Sequence, residues 1–124
     1  MRRIIVTLLL GGLLVGPAAT AQALRWNGVR IGPVAARPKT THPGGRASIR
    51  IAPTRAPVGF VYDVQKKTKG KQWKMYRRGV KTRNVRFRPR VPGRTRFRAR
   101  ARQPQTGLVS PYTRPGMLRV KRLA

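Results

Sequence analysis

The stretch RTRFRARAR, residues 94–102, carries an arginine at every second position. The residues between the arginines are small or apolar: Thr95, Phe97, Ala99 and Ala101. Successive side chains of a β-strand point to opposite faces, so an extended conformation places all the arginines on one face. The pattern therefore predicts a half-buried strand whose phenylalanine and alanines face a core.

Short alternating segments, separated by proline and glycine, precede and follow this strand. They are ASIRI (47–51), FVYDVQ (60–65), QWKMY (72–76), NVRFR (84–88) and MLRVK (117–121). No segment after the amino-terminal leader shows a helical period. Short strands at this spacing predict an all-β fold, a small immunoglobulin-like β-sandwich of about seven strands.

The amino terminus has the three parts of a secretory signal peptide. Residues 1–23 contain a basic start, an apolar run at 4–15 and the small-residue end Ala21-Gln22-Ala23. The apolar run is shorter than the roughly 20 residues that span a bilayer. We predict cleavage near Ala23 and a secreted, periplasmic or envelope-associated protein, with an uncleaved membrane anchor as the alternative. Residues 24–46 are interpreted as an N-terminal strand and flexible linker, and 47–124 as the sandwich.

The composition argues against an enzyme. The chain has 30 Lys and Arg residues against one acidic residue, a formal net charge of +29. Asp63 is its only side-chain carboxylate, His42 its only histidine, and cysteine is absent. Carboxylate pairs, thiol nucleophiles and tetrahedral zinc sites need residues that this chain lacks. We expect no catalytic residue, metal site, cofactor or small-molecule substrate.

The order of features from Phe60 onward resembles the fibronectin type III fold, particularly versions found in exported bacterial proteins. The matching segments are YDVQ (62–65), GKQW (70–73), VPGRTRFRARA (91–101) and TGLVSPYTRP (106–115). The resemblance covers residues 47–121. It implies that 94–102 is the sixth strand, lying between the third strand and the last.

Two positions depart from this family. Ala52-Pro53 stands where the second strand usually ends near a tryptophan, and no tyrosine follows the Pro92-Gly93 turn. A tyrosine there normally ties the corner to nearby backbone. We expect a thinner core, with Trp26 or Tyr112 packing in from elsewhere.

On this fold, the outer face of one sheet collects basic residues, which we interpret as a polyanion-binding surface. The candidate binding residues are Arg96, Arg98, Arg100, Arg119, Lys121 and Lys74. Asp63 is expected to share this exposed face and to pair with Arg98 or Arg100, which would reduce repulsion between neighbouring arginines.

The positive charge leaves three classes of partner. An anionic cell-wall polymer or membrane surface agrees best with an exported protein. Extracellular nucleic acid is a second class, although Tyr76 is the main aromatic residue expected on the outer face. An acidic protein is the third. In an arginine-rich genome, a solvent-exposed sheet face can be rich in arginine without any binding function. The absence of glutamate from the chain instead indicates selection for a positive field. We predict a non-enzymatic binding or adhesion module for an anionic envelope surface.

Overall fold

The computed structural model describes residues 23–123, and these form an all-β protein. Apart from Ala23, the predicted signal peptide lies outside the described residues. The strands in chain order are β1 (Leu24–Trp26), β2 (Val29–Ile31), β3 (Ala35–Arg37), β4 (Thr40–Thr41), β5 (Ala47–Arg50), β6 (Val61–Thr68), β7 (Lys74–Val80), β8 (Asn84–Phe87), β9 (Gly93–Gln103), β10 (Leu108–Val109) and β11 (Gly116–Val120). Residues 23–123 include no helix capable of crossing a bilayer.

Two sheets form the sandwich. The large sheet has the order β4-β11-β9-β6-β7, with β10 pairing with one end of β9, and the small sheet has the order β3-β5-β8. All pairs are antiparallel except the short parallel pair of β4 with β11. β1 and β2 form a separate hairpin. The predicted all-β sandwich is confirmed.

The core lies between the two sheets. Phe97, Ala99 and Ala101 of β9 are fully buried, as their alternation with arginine predicted. From the small sheet, Phe87 packs edge-on against Phe97, with ring centroids 5.1 Å apart. Ile49 of β5 is also fully buried. Aromatic and β-branched side chains from facing strands therefore hold the sheets together.

Two aromatic residues outside β9 contribute to this packing. Tyr62 of β6 is fully buried, and its hydroxyl donates a hydrogen bond to the Thr54 carbonyl at 3.1 Å. Burial raises the pKa of Tyr62, although the bond to Thr54 opposes the shift. Trp26 is half-buried and meets Phe60 edge-on at 6.0 Å between centroids, so it packs against the core as expected.

The structure differs from the predicted linker in residues 24–46. The β1–β2 hairpin turns at Asn27-Gly28, where both residues have positive φ, as a two-residue hairpin turn requires. Residues 35–37 pair with β5 in the small sheet, and residues 40–41 pair with β11 in the large sheet. The sandwich therefore begins well before residue 47. Closely spaced prolines obscured these two short edge strands, although prolines are compatible with a sheet edge.

Candidate anion-binding surface

Asp63 is the centre of the polar arrangement on the outer face of the large sheet. Antiparallel pairing of β6 with β9 places it directly opposite Arg100. Its Oδ2 accepts hydrogen bonds from Arg102 Nε at 2.9 Å and Arg100 Nε at 3.2 Å. Its Oδ1 accepts from Arg102 Nη2 and from the Gly79 backbone N–H, both at 3.1 Å. One carboxylate therefore neutralises part of the charge of two arginines.

Asp63 is fully buried, which corrects the predicted position on an exposed face. The arginine side chains from β9 extend over it, and a register irregularity between β6 and β7 directs the Gly79 N–H toward it. Burial alone would raise the pKa of Asp63, but the bonds from Arg102, Gly79 and Arg100 outweigh burial and lower it. The carboxylate also raises the pKa of Arg102. Asp63 is therefore held as an anion.

Arg98 is not the partner of Asp63, which corrects one of the two predicted pairings. It lies opposite Gln65, and its Nε donates to Gln65 Oε1 at 2.8 Å. The predicted alternative, Arg100, does pair with Asp63. Arg100–Asp63 and Arg102–Asp63 are the two ion pairs found within residues 23–123. The strand register decides between the candidates.

Two aromatic rings enclose the Arg98 guanidinium on this face. Its central carbon lies 4.2 Å from the Trp73 ring centroid and 4.4 Å from that of Tyr112. The Arg100 guanidinium lies 5.0 Å from the same Tyr112 ring. Tyr112 therefore stacks on the arginines outside the sheet and does not pack into the core as expected.

Beyond this stack, toward the start of β9, the outer face forms a basic groove of about 640 Å³. We call it the outer groove, and its cationic residues are Lys67, Lys69, Arg94, Arg96 and Arg119. β9 pairs with β6 on one side and with β11 on the other, which brings these side chains together. The groove contains no carboxylate. Such a concentration of positive charge attracts anions.

The structure therefore divides the predicted binding residues. Arg96 and Arg119 are exposed and line the outer groove, whereas Arg98 and Arg100 are half-buried and bonded to β6. Lys121 is exposed just beyond β11 but does not line the groove. Lys74 pairs directly with Lys66, whose ammonium lies over core aromatic rings, so Lys74 is on the opposite face.

Sequence reasoning missed several members of this surface. Arg94 and Arg102 belong to the alternation that places the arginines on one face, but they were left out of the candidate set. Lys67 lies on the same face as Asp63 and Gln65, at successive second positions of β6. Trp73 lies outside, whereas Tyr76 faces inward and packs edge-on against Phe97 at 5.9 Å, opposite to the expected placement of Tyr76. Strict alternation along the strands predicts that these cations lie on the outer face. It does not predict that the Trp73 and Tyr112 rings flank Arg98.

The available side chains limit the chemistry of this surface. No group of three or more histidine, cysteine or acidic residues suited to a metal ion occurs within residues 23–123. His42 is exposed in a loop, with its Nδ1 3.0 Å from the Pro43 carbonyl oxygen. Arginine and lysine donate hydrogen bonds and carry charge, which suits the binding of anionic groups.

The strand order and the pairing define a fibronectin type III-like β-sandwich, as the sequence resemblance predicted. A solved Fn3-like protein from Clostridium thermocellum has a TM-score of 0.50 at 14% identity, over 76% of this chain and 94% of that chain. A myokine structure has a TM-score of 0.54 at 15% identity, over 74% of this chain and 96% of that one. Likeness at such low identity shows the fold alone. No protein-family model and no curated protein matches the chain.

Proposed function

We propose that this protein is a non-enzymatic exported module that attaches to an anionic polymer or lipid surface of the cell envelope through the outer groove. The observation that carries this proposal is the set of five cationic side chains around one groove that contains no carboxylate. The only carboxylate side chain of the protein is buried and paired with two arginines. No acidic side chain therefore offsets the attraction of the groove for an anion.

The contacts of the neighbouring arginines support a division of roles. Arg98 is enclosed by Trp73 and Tyr112, and Arg100 is bonded to Asp63, so both have protein partners. These two arginines support the sheet face, while the outer groove contacts the anion. The Arg98 guanidinium covers one face of each ring, which reduces the ring surface available for base stacking and favours an envelope anion over nucleic acid.

The test replaces three arginines of the outer groove together: Arg94→Gln, Arg96→Gln and Arg119→Gln. Binding is measured to phosphatidylglycerol vesicles, with phosphatidylcholine vesicles as the uncharged reference, and to soluble polyglycerol phosphate as an acidic wall polymer. Each basic residue near an anionic membrane contributes about 1 kcal/mol. We therefore expect the triple variant to lose roughly 100-fold in vesicle affinity.

A matched control removes the same charge elsewhere, through Arg55→Gln, Arg78→Gln and Arg114→Gln. These arginines are exposed and line neither the outer groove nor any other described cavity. Screening over about 8 Å at physiological ionic strength limits the effect of distant charges. The control variant should bind nearly as well as the parent. Equal losses in both variants would mean that net charge, and not the groove, determines binding.

A further inference from the structure

A second basic cavity opens between the two sheets, at the end of the sandwich where β6 and β8 end and β5 and β9 begin, and β7 also lines it. Its volume is about 910 Å³. We call it the edge cleft, and six of the cationic residues around it are Arg46, Lys66, Arg77, Arg86, Arg88 and Arg90. Tyr76 and Phe87 also line it, and their rings meet edge-on at 5.6 Å. The cleft thus combines an aromatic floor with a cationic rim.

No acidic side chain of the protein pairs with the charges of the edge cleft. Asp63, the only side-chain carboxylate, lies on the outer face of the same sheet and is already bonded to Arg100 and Arg102. Lys66 is half-buried, and its ammonium lies 5.1 Å from the Phe87 ring centroid. A ring attracts a cation but, unlike a carboxylate, does not neutralise its charge. The walls of a cleft concentrate such a positive field.

The residue types indicate which anion fits. Five of the six named cations are arginines, whose planar guanidinium groups form paired hydrogen bonds with phosphate oxygens. The Tyr76 ring is already occupied, because the Arg77 guanidinium lies 4.1 Å from its centroid and the Lys66 ammonium 5.3 Å from it. These cations compete with a base or a sugar for the Tyr76 ring. Recognition therefore depends on the charged groups of the ligand.

We propose that the edge cleft is a second anion-binding site, separate from the outer groove, that takes several linked phosphate groups of a linear phosphate-rich chain. Its volume suits several linked groups better than a single ion. The two sites lie on opposite faces of the large sheet, since Lys66 lines the cleft and the adjacent Lys67 lines the groove. The two sites adjoin at Thr68, which lines both of them, so simultaneous binding requires chains short enough to fit within one site each.

The test uses short-chain inorganic polyphosphate and the variant Arg86→Gln, Arg88→Gln, Arg90→Gln. Isothermal titration should give two bound chains for the parent and one for this variant. The affinity of the edge cleft for polyphosphate should fall many-fold in the variant. The control variant at Arg55, Arg78 and Arg114 removes equal charge and should still bind two chains. A cleft variant that keeps both sites overturns the proposal.

Lysine acetylation, mapped by mass spectrometry, reports each site separately. Polyphosphate should slow acetylation of Lys66 several-fold in the parent and in the outer-groove variant with substitutions at Arg94, Arg96 and Arg119. It should not do so in the cleft variant with substitutions at Arg86, Arg88 and Arg90. Lys67 reports the outer groove in the same experiment. If polyphosphate protects Lys66 but not Lys67 in the parent, the proposed function of the outer groove is contradicted. If polyphosphate does not protect Lys66 in the parent, the second site is contradicted.

The ligand class is tested with chains of different chemistry. A polyuronate carries carboxylates without phosphate, and oligothymidylate carries phosphates together with bases. Inorganic polyphosphate and polyglycerol phosphate should protect Lys66 at lower concentrations than polyuronate. Equal protection by polyuronate overturns the preference for phosphate. Tighter binding of oligothymidylate than of polyglycerol phosphate identifies nucleic acid as the ligand and overturns recognition by charged groups alone.

Discussion

Asp63→Asn removes the only side-chain carboxylate charge of the protein with little change in side-chain shape. In the parent, this group accepts bonds from Arg102 Nε at 2.9 Å and Arg100 Nε at 3.2 Å. An asparagine keeps one acceptor oxygen, but its NH₂ group would face an arginine donor. At least one charge-assisted bond is therefore lost, and two neighbouring guanidinium groups lose their counter-ion.

The size of the effect follows from the burial of the three side chains. Removing one partner of a fully buried ion pair costs about 3–5 kcal/mol. Here the carboxylate is fully buried, but the Arg100 and Arg102 side chains are 23% and 16% exposed and can regain water. We therefore expect Asp63→Asn to lower the free energy of unfolding by about 2–3 kcal/mol. For a domain of this size, the melting temperature should fall by roughly 8–24 °C.

The same residue controls stability in acid. The folded protein lowers the pKa of Asp63 below its ordinary value of 3.8, so the unfolded chain binds a proton first as the pH falls. The stabilisation is therefore complete above about pH 5 and is lost as the pH falls through the folded pKa. Since no other side chain carries a carboxyl group, Asp63→Asn should remove most of this acid-dependent change.

Thermal unfolding followed by circular dichroism, from about pH 6 to pH 2 in constant salt, measures both effects. The α-carboxylate is common to both proteins, so its contribution cancels in the comparison. Parallel curves of melting temperature against pH for the parent and the variant would refute the role assigned to Asp63. A variant as stable as the parent at pH 6 would refute the estimate for the ion pairs.

Two further predictions concern stability. Gly116→Ala should destabilise the fold by about 1–3 kcal/mol in urea unfolding, because a Cβ at this position of β11 would collide with the Val34 backbone carbonyl. The control is Met117→Ala at the exposed neighbouring position, which should change stability by less than about 0.5 kcal/mol. In a double-mutant cycle, Trp73→Leu and Arg98→Gln should show a coupling of about 0.5–1 kcal/mol, and additive effects would contradict an energetic role for the stack.

The inward-facing residues of the central strands could be predicted from sequence because a strand repeats every two residues. Phe97 in β9, Ile49 in β5 and Leu118 in β11 are all fully buried, as their alternation with polar residues predicted. The same period assigns a side to a residue but says nothing about its depth. Asp63 was correctly placed on the outer side, yet its burial depends on arginine side chains that extend over it from β9.

The remaining differences arise where the chain leaves regular alternation. Residues 35–41 form edge strands in both sheets although prolines surround them, because an edge strand needs hydrogen bonds on one side only. Between β6 and β7 the register shifts, and Tyr76 turns inward while Trp73 lies against Arg98. Tyr112 follows β10 and lies over the β9 arginines, a contact that only the tertiary structure defines.

β7 is an edge strand of the large sheet and β8 is an edge strand of the small sheet. These two edges also affect how the protein behaves in concentrated solution. An unpaired strand edge offers backbone groups to a second molecule and favours aggregation. Here Arg77, Arg78 and Arg86 lie along these edges, so two copies that approach through them repel each other. Screening shortens this repulsion from about 8 Å at physiological ionic strength to about 3 Å in 1 M salt. The protein therefore stays dispersed best at low salt, and high salt or a polyvalent anion favours contact between copies at these edges.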